Sequence, residues 1–189
     1  MRARQAWKTF KNVSRLRLKE GGKLLLKAGC VWNGEQLLVQ EAHGSSEVSV
    51  VIGKYGEGAD PVINGNGNPW QEDTNASKED VAAVHIYNSS YVTVENLAVT
   101  NWEQDADDLL KEETAKDQSK YLLTGILAEN HDAGDLDGIV IRNNHVYNIN
   151  GRMEPGGKKG TGGIIALVTG SGTPSSFVNL RIEGNEVKI

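Results

Sequence analysis

His85, Tyr87, Trp102 and Glu129 combine, in the middle of the chain, the side-chain types that recognise a sugar. An aromatic ring offers an apolar face to the C–H face of a pyranose, and imidazole and carboxylate groups make directional hydrogen bonds to hydroxyls. Cleaving a glycosidic bond asks for more. It needs two carboxyl groups, one to protonate the leaving oxygen and one to attack or to activate water. Glu129 and a loop aspartate could form such a pair, but nothing in the sequence sets their separation. The plain alternative for each of the four is a solvated surface side chain, and no catalytic residue is assigned.

Two acidic clusters invite metal chemistry and support it weakly. Glu103, Asp105, Asp107 and Asp108 run into Leu-Leu-Lys-Glu-Glu-Thr-Ala-Lys, which fits the start of a surface helix whose dipole favours negative charge at its first turn. Asp132, Asp135 and Asp137 lie in His131-Asp-Ala-Gly-Asp-Leu-Asp-Gly138. This run has the Asp and Gly density of a calcium loop but not the EF-hand spacing or its closing glutamate. A turn is the expectation and no cofactor is expected, with calcium as the alternative. The glycine- and lysine-rich insert at 150–162 lacks P-loop spacing, so it is read as a loop and not a phosphate cradle.

The elements that must position these residues are legible as repeats. An eight-residue pattern recurs without gaps as Val94-Glu-Asn-Leu-Ala-Val-Thr-Asn101, Ile141-Arg-Asn-Asn-His-Val-Tyr-Asn148 and Ile182-Glu-Gly-Asn-Glu-Val-Lys-Ile189. The intervals are unequal, as expected for a constant unit carrying variable loops. Alternating strand residues precede each copy, and another short strand lies upstream in Val84–Tyr87, Gly125–Glu129 and Gly163–Leu167. Three short strands per repeat make one coil of a solenoid, with inward aliphatics stacked on the next coil. Asn96, Asn143, Asn144 and Asn185 fall where one strand bends into the next and are read as a structural asparagine ladder. Earlier strands are expected at Lys23–Lys27, Gln36–Val39 and Glu47–Ile52. Trp7, Phe10, Val13 and Leu16 suit a short amphipathic helix that caps the first coil.

The predicted architecture is therefore all-β, a right-handed parallel β-helix with a short N-terminal capping helix: residues 1–20 form the cap region and 21–189 the coils. The chain stops inside a strand, and the expectation is that further β-helix coils, in the same or a second chain, complete it. If Val84 and Ile86 face inward, His85 and Tyr87 face outward, and Glu129 does so on the next coil. Inserts at 66–80, 102–122 and 151–162, with Trp70, Trp102 and Arg152 in or beside them, would wall that groove.

Composition narrows the partners. A net charge of −5 across 189 residues disfavours nucleic acid, and no apolar run reaches the ~18 residues of a membrane span. The start lacks a signal-peptide hydrophobic region, and Cys30, the single cysteine, cannot form an internal disulfide and is expected to be buried. Twenty-two glycines beside four prolines suit short strands and tight turns.

Ala6-Trp-Lys-Thr-Phe10, Gly22-Lys-Leu-Leu-Leu-Lys-Ala-Gly29, Val31-Trp-Asn-Gly34 and Lys54-Tyr-Gly-Glu-Gly-Ala-Asp-Pro-Val-Ile-Asn-Gly-Asn-Gly67 resemble the opening of secreted pectate-lyase-like β-helix proteins. Lys23 departs from the aspartate usual at that turn. Within that group, Asn150-Gly151, Thr161-Gly-Gly-Ile-Ile165 and Val178-Asn-Leu-Arg-Ile-Glu-Gly-Asn185 most resemble the lacto-N-biosidase family of bacterial glycoside hydrolases. The resemblance implies release of a disaccharide from milk- or mucin-type glycans, outside the cell or at its surface. It also implies that the family's two catalytic aspartates align beyond residue 189, so that this segment alone is inactive. A polysaccharide lyase acting on uronate polymers and a non-catalytic glycan-binding or adhesin segment remain as alternatives.

Overall fold

The computed structural model describes residues 8–67, 80–102, 122–151 and 161–188. The first coil is β1 (Lys23–Lys27), β2 (Val31–Asn33) and β3 (Leu37–Gln40), and the second is β4 (Val50–Tyr55), β5 (Val62–Asn64) and β6 (Asp80–Tyr87). The third coil is β7 (Val92–Glu95), β8 (Ala98–Asn101) and β9 (Leu122–His131), followed by the short β10 (Asp135–Asp137). The fourth has β11 (Val140–Arg142), β12 (His145–Ile149), β13 (Gly162–Thr169) and the short β14 (Ser176–Val178); β15 (Arg181–Glu183) and β16 (Glu186–Lys188) begin a fifth.

Each strand pairs with its counterpart one coil away, always in parallel. Three sheets run the length of the molecule, β1-β4-β7-β11-β15, β2-β5-β8-β12-β16 and β3-β6-β9-β13. This is a parallel β-helix, all-β as the repeats predict. In-register aliphatics fill its interior: Ile52, Val94 and Ile141 on the first face, Ile63, Val99 and Val146 on the second, Val84 and Ile126 on the third. All are completely buried. Each such side chain contributes about 1.5–3 kcal/mol by leaving water.

The corners repay closer reading. Asn96, Asn143 and Gly184 occupy the same place in successive coils and all have a left-handed backbone, φ 56°, 53° and 62°. Asparagine tolerates this conformation and glycine adopts it freely. The adjacent row is the ladder. Asn144 Oδ1 accepts the N–H of Leu97 at 3.1 Å, and its Nδ2 donates to the carbonyl of Val94 and to Asn185 Oδ1, both at 3.0 Å. Asn185 in turn accepts the N–H of Asn144. The four asparagines expected to form one ladder therefore divide into two rows, one bending the chain and one bonding the coils.

The N-terminal cap also differs from expectation. Among the described residues the predicted helix is a short 3-10 turn, Val13–Arg15, whose Val13 is buried, and Trp7 lies outside them. Phe10 stacks on Trp32 with centroids 5.5 Å apart, and its N–H is held by Glu35 Oε2. Phe10 and Val13 join the continuous core, so apolar plugging of the first coil does not require a full helix. Cys30 is a free thiol that is only half-buried, against the expectation of full burial.

Candidate functional site

The outward face of the β3-β6-β9-β13 sheet carries the cluster. Register places Leu38 beside His85 and Leu127, and Gln40 beside Tyr87 and Glu129, while Val84, Ile86, Ile126 and Ala128 fill the core behind. Strand alternation thus orients His85, Tyr87 and Glu129 as predicted. Their depth is the correction. They are expected on an open surface, yet they are 0%, 4% and 2% exposed.

One network joins the buried His85 and Glu129 to Thr169 and His131. His85 Nε2 lies 3.0 Å from Glu129 Oε2. The other carboxylate oxygen, Oε1, accepts the hydroxyl of Thr169 at 2.7 Å. Thr169 Oγ1 is in turn 2.9 Å from Nδ1 of His131, the exposed last residue of β9. The rings close the group: Tyr87 meets His85 edge-on at 5.9 Å and lies nearly parallel to His131 at 6.3 Å. Burial pushes the Glu129 carboxyl up. The contact with His85, the Thr169 hydroxyl and the charge of His131 outweigh it, and the group ends below the ordinary carboxylate value. The Tyr87 phenol is raised by burial and then by the negative charges of Glu129, Glu41 and Asp132.

Backbone fastening makes the exit end of this face rigid. Asn88, with φ 43°, uses its side chain as a strand rung: Oδ1 accepts the N–H of His131 at 2.7 Å and Nδ2 donates to its carbonyl at 3.1 Å. Asn130 Nδ2 donates to the carbonyls of Gly134 and Ser176, both at 2.8 Å.

Trp102 is placed elsewhere. It follows Asn101, whose Nδ2 donates to the carbonyls of Val81 and Thr124 and so ties the second face to the entry end of the third. Tyr87 and Glu129 are five or six residues downstream of those tie points, roughly 16–20 Å at ~3.3 Å per strand residue. The structure brings His85, Tyr87 and Glu129 together and leaves half-buried Trp102 at the opposite edge. His131 and Thr169 are the members that sequence reasoning missed. The signal is present, because the alternation that selects Glu129 continues to His131, although the Asp- and Gly-rich run that follows suggests that the turn starts there.

The aspartates of that turn are engaged with protein donors. Asp132 Oδ1 accepts the N–H groups of Gly172 and Thr173, which together with His131 hold its carboxyl below the usual range. Asp135 accepts the Ser176 hydroxyl at 2.6 Å. Asp137 accepts the Tyr91 hydroxyl at 2.7 Å and the Asn179 amide at 2.9 Å. Among the described residues, no group of three His, Cys, Asp or Glu side chains is placed to hold a metal ion. Among them too, no helix is long and apolar enough to cross a membrane. Trp70, Arg152, the acidic run from Glu103 to Asp108 and most of the three inserts lie outside the described residues.

No protein-family model matches the chain. Known proteins do resemble it. A lacto-N-biosidase of Bifidobacterium longum subsp. longum is 24% identical over 173 residues, an alignment covering 78% of this chain and 11% of that protein. The crystal structure of the GH136 lacto-N-biosidase from Eubacterium ramulus matches 97% of this chain and 31% of its own, with a TM-score of 0.76. Sequence identity is 26% to the native form and 25% to the selenomethionine form. The chain thus spans about a tenth of the curated relative and about a third of the solved one, and it is related to both in sequence or fold.

Proposed function

We propose that this chain is the glycan-binding segment of a β-helical glycoside hydrolase that releases a disaccharide from milk- or mucin-type oligosaccharides. The observation that carries this reading is the likeness to lacto-N-biosidases, in fold along 97% of the chain and in sequence along 78% of it. The substrate meets the third face near His131, where rings, an imidazole and a compensated carboxylate lie within one patch. Both oxygens of Glu129 are engaged inside the protein, so it orders the patch and does not exchange protons with a substrate. The segment therefore supplies recognition and scaffold, and the reacting carboxyl pair of the whole enzyme comes from outside the described residues. Such glycans are met outside the cell, which is where the protein is proposed to act.

The test is titration of the protein with lacto-N-tetraose and with polygalacturonate in parallel, with and without a chelator. Saturable binding of the tetrasaccharide, insensitive to chelator, is expected. Preferential, chelator-sensitive binding of the uronate polymer would replace this reading with a lyase.

A further inference from the structure

The hydrogen bonds around Thr169 fix more than its position. A hydroxyl has one proton, and Thr169 gives it to Glu129 Oε1 at 2.7 Å. Toward His131 Nδ1, 2.9 Å away on the other side, the same oxygen can only accept. Nδ1 must then carry a proton, and in the neutral imidazole the remaining nitrogen, Nε2, is left with its lone pair. His131 is exposed, so this lone pair belongs to the member of the network that a ligand can reach. The ring is also immobilised. Asn88 grips both backbone polar groups of His131, the ring of Tyr87 lies nearly parallel to its own, and Thr169 holds one edge.

We propose that His131 is the sugar-contacting residue of this face, held as the Nδ1–H tautomer so that Nε2 accepts a hydrogen bond from a sugar hydroxyl, with Thr169 and Glu129 as positioning residues. This deepens the glycan-binding reading and rests on it. A preset acceptor gives a role to a histidine–glutamate pair on a sheet face where His85 is flanked in register by Leu38 and Leu127. A buried pair of this kind adds little stability over apolar side chains of the same size, whereas a hydrogen-bonded partner that sets a histidine tautomer serves the group in front of it.

Two readouts test the proposal. Nitrogen chemical shifts of the neutral His131 ring, recorded in the ligand-free protein, are expected to report Nδ1–H. Thr169→Val, which keeps the branched shape and loses the hydroxyl, is expected to move the ring to the Nε2–H form that free imidazoles prefer, and Thr169→Ser to restore Nδ1–H. Lacto-N-tetraose affinity is expected to fall about tenfold in His131→Gln and in Thr169→Val, the loss of one net hydrogen bond, and to be kept in Thr169→Ser. An Nε2–H ring in the wild type, or a tautomer indifferent to Thr169→Val, overturns the proposal whatever the glycan does. Tight binding unchanged in His131→Gln overturns the contact. A wild type with the expected tautomer and no affinity for the glycan overturns the reading beneath it, and the contact with it.

Discussion

Glu129 is almost inaccessible to solvent, and its two carboxylate oxygens face His85 and the Thr169 hydroxyl. Removing one partner of a buried pair leaves the other uncompensated, so Glu129→Ala is expected to cost on the order of 3 kcal/mol in chemical denaturation. Replacing both partners with leucine, His85→Leu with Glu129→Leu, is expected to recover most of that loss, because the first joins the row of Leu38 and Leu127 and the second lies beside Leu167. Failure to recover would mean the pair itself holds the coils together. The pH dependence has a definite sign. The folded-state carboxyl titrates below its ordinary value of 4.5, so its stabilisation is complete above that value and is lost as pH falls through the lower folded one. Asp132 and Asp137 shift in the same direction, so the test is a difference. The stability gap between wild type and Glu129→Gln should be constant near neutrality and shrink in acid. The sequence foretold which way these side chains point, because a period of two is a property of the strand. It did not foretell their depth, because burial of an outward row depends on neighbours far along the chain.

At the scale of the element, the coil corner separates two roles that adjacent asparagines make look alike. Asn143 matters for its backbone angle and Asn144 for its amide. Asn144→Ala leaves the Leu97 N–H and the Val94 carbonyl without their side-chain partner and is expected to cost roughly 2–3 kcal/mol. Asn143→Gly should be close to neutral, and Asn143→Val costly, since a branched side chain resists the left-handed conformation. Equal costs for the Ala and Gly variants would merge the two rows again. The eight-residue repeat disclosed the coil and its corner because aliphatic spacing survives in sequence. It could not assign the roles, which depend on one residue of offset between bend and bond. The predicted capping helix is reduced among the described residues to a 3-10 turn for a related reason: apolar residues every three positions also suit such a turn, and the tertiary contact of Phe10 with Trp32 favours it.

For the whole molecule, the solenoid's regularity lets the last described coil be compared with the one before it. Ile182 and Val187 are 48% and 47% exposed, while Ile141 and Val146, their counterparts one coil earlier, are fully buried. Edge strands with exposed apolar residues favour association. In the 189-residue chain taken by itself, Ile182→Lys combined with Val187→Lys is expected to reduce self-association on size-exclusion chromatography without lowering the thermal midpoint, and a lowered midpoint would show that these residues already support the fold. The third face remains the centre of the account, because its strands alone bring His85, Tyr87, Glu129, Thr169 and His131 into one network. The most direct measurement is a titration of isotope-labelled protein with lacto-N-tetraose, following every amide and imidazole. Saturable shifts centred on His131, Thr169 and Asn88 are predicted; shifts confined to the other two faces, or none at millimolar glycan, would contradict the claim that this face reads sugar.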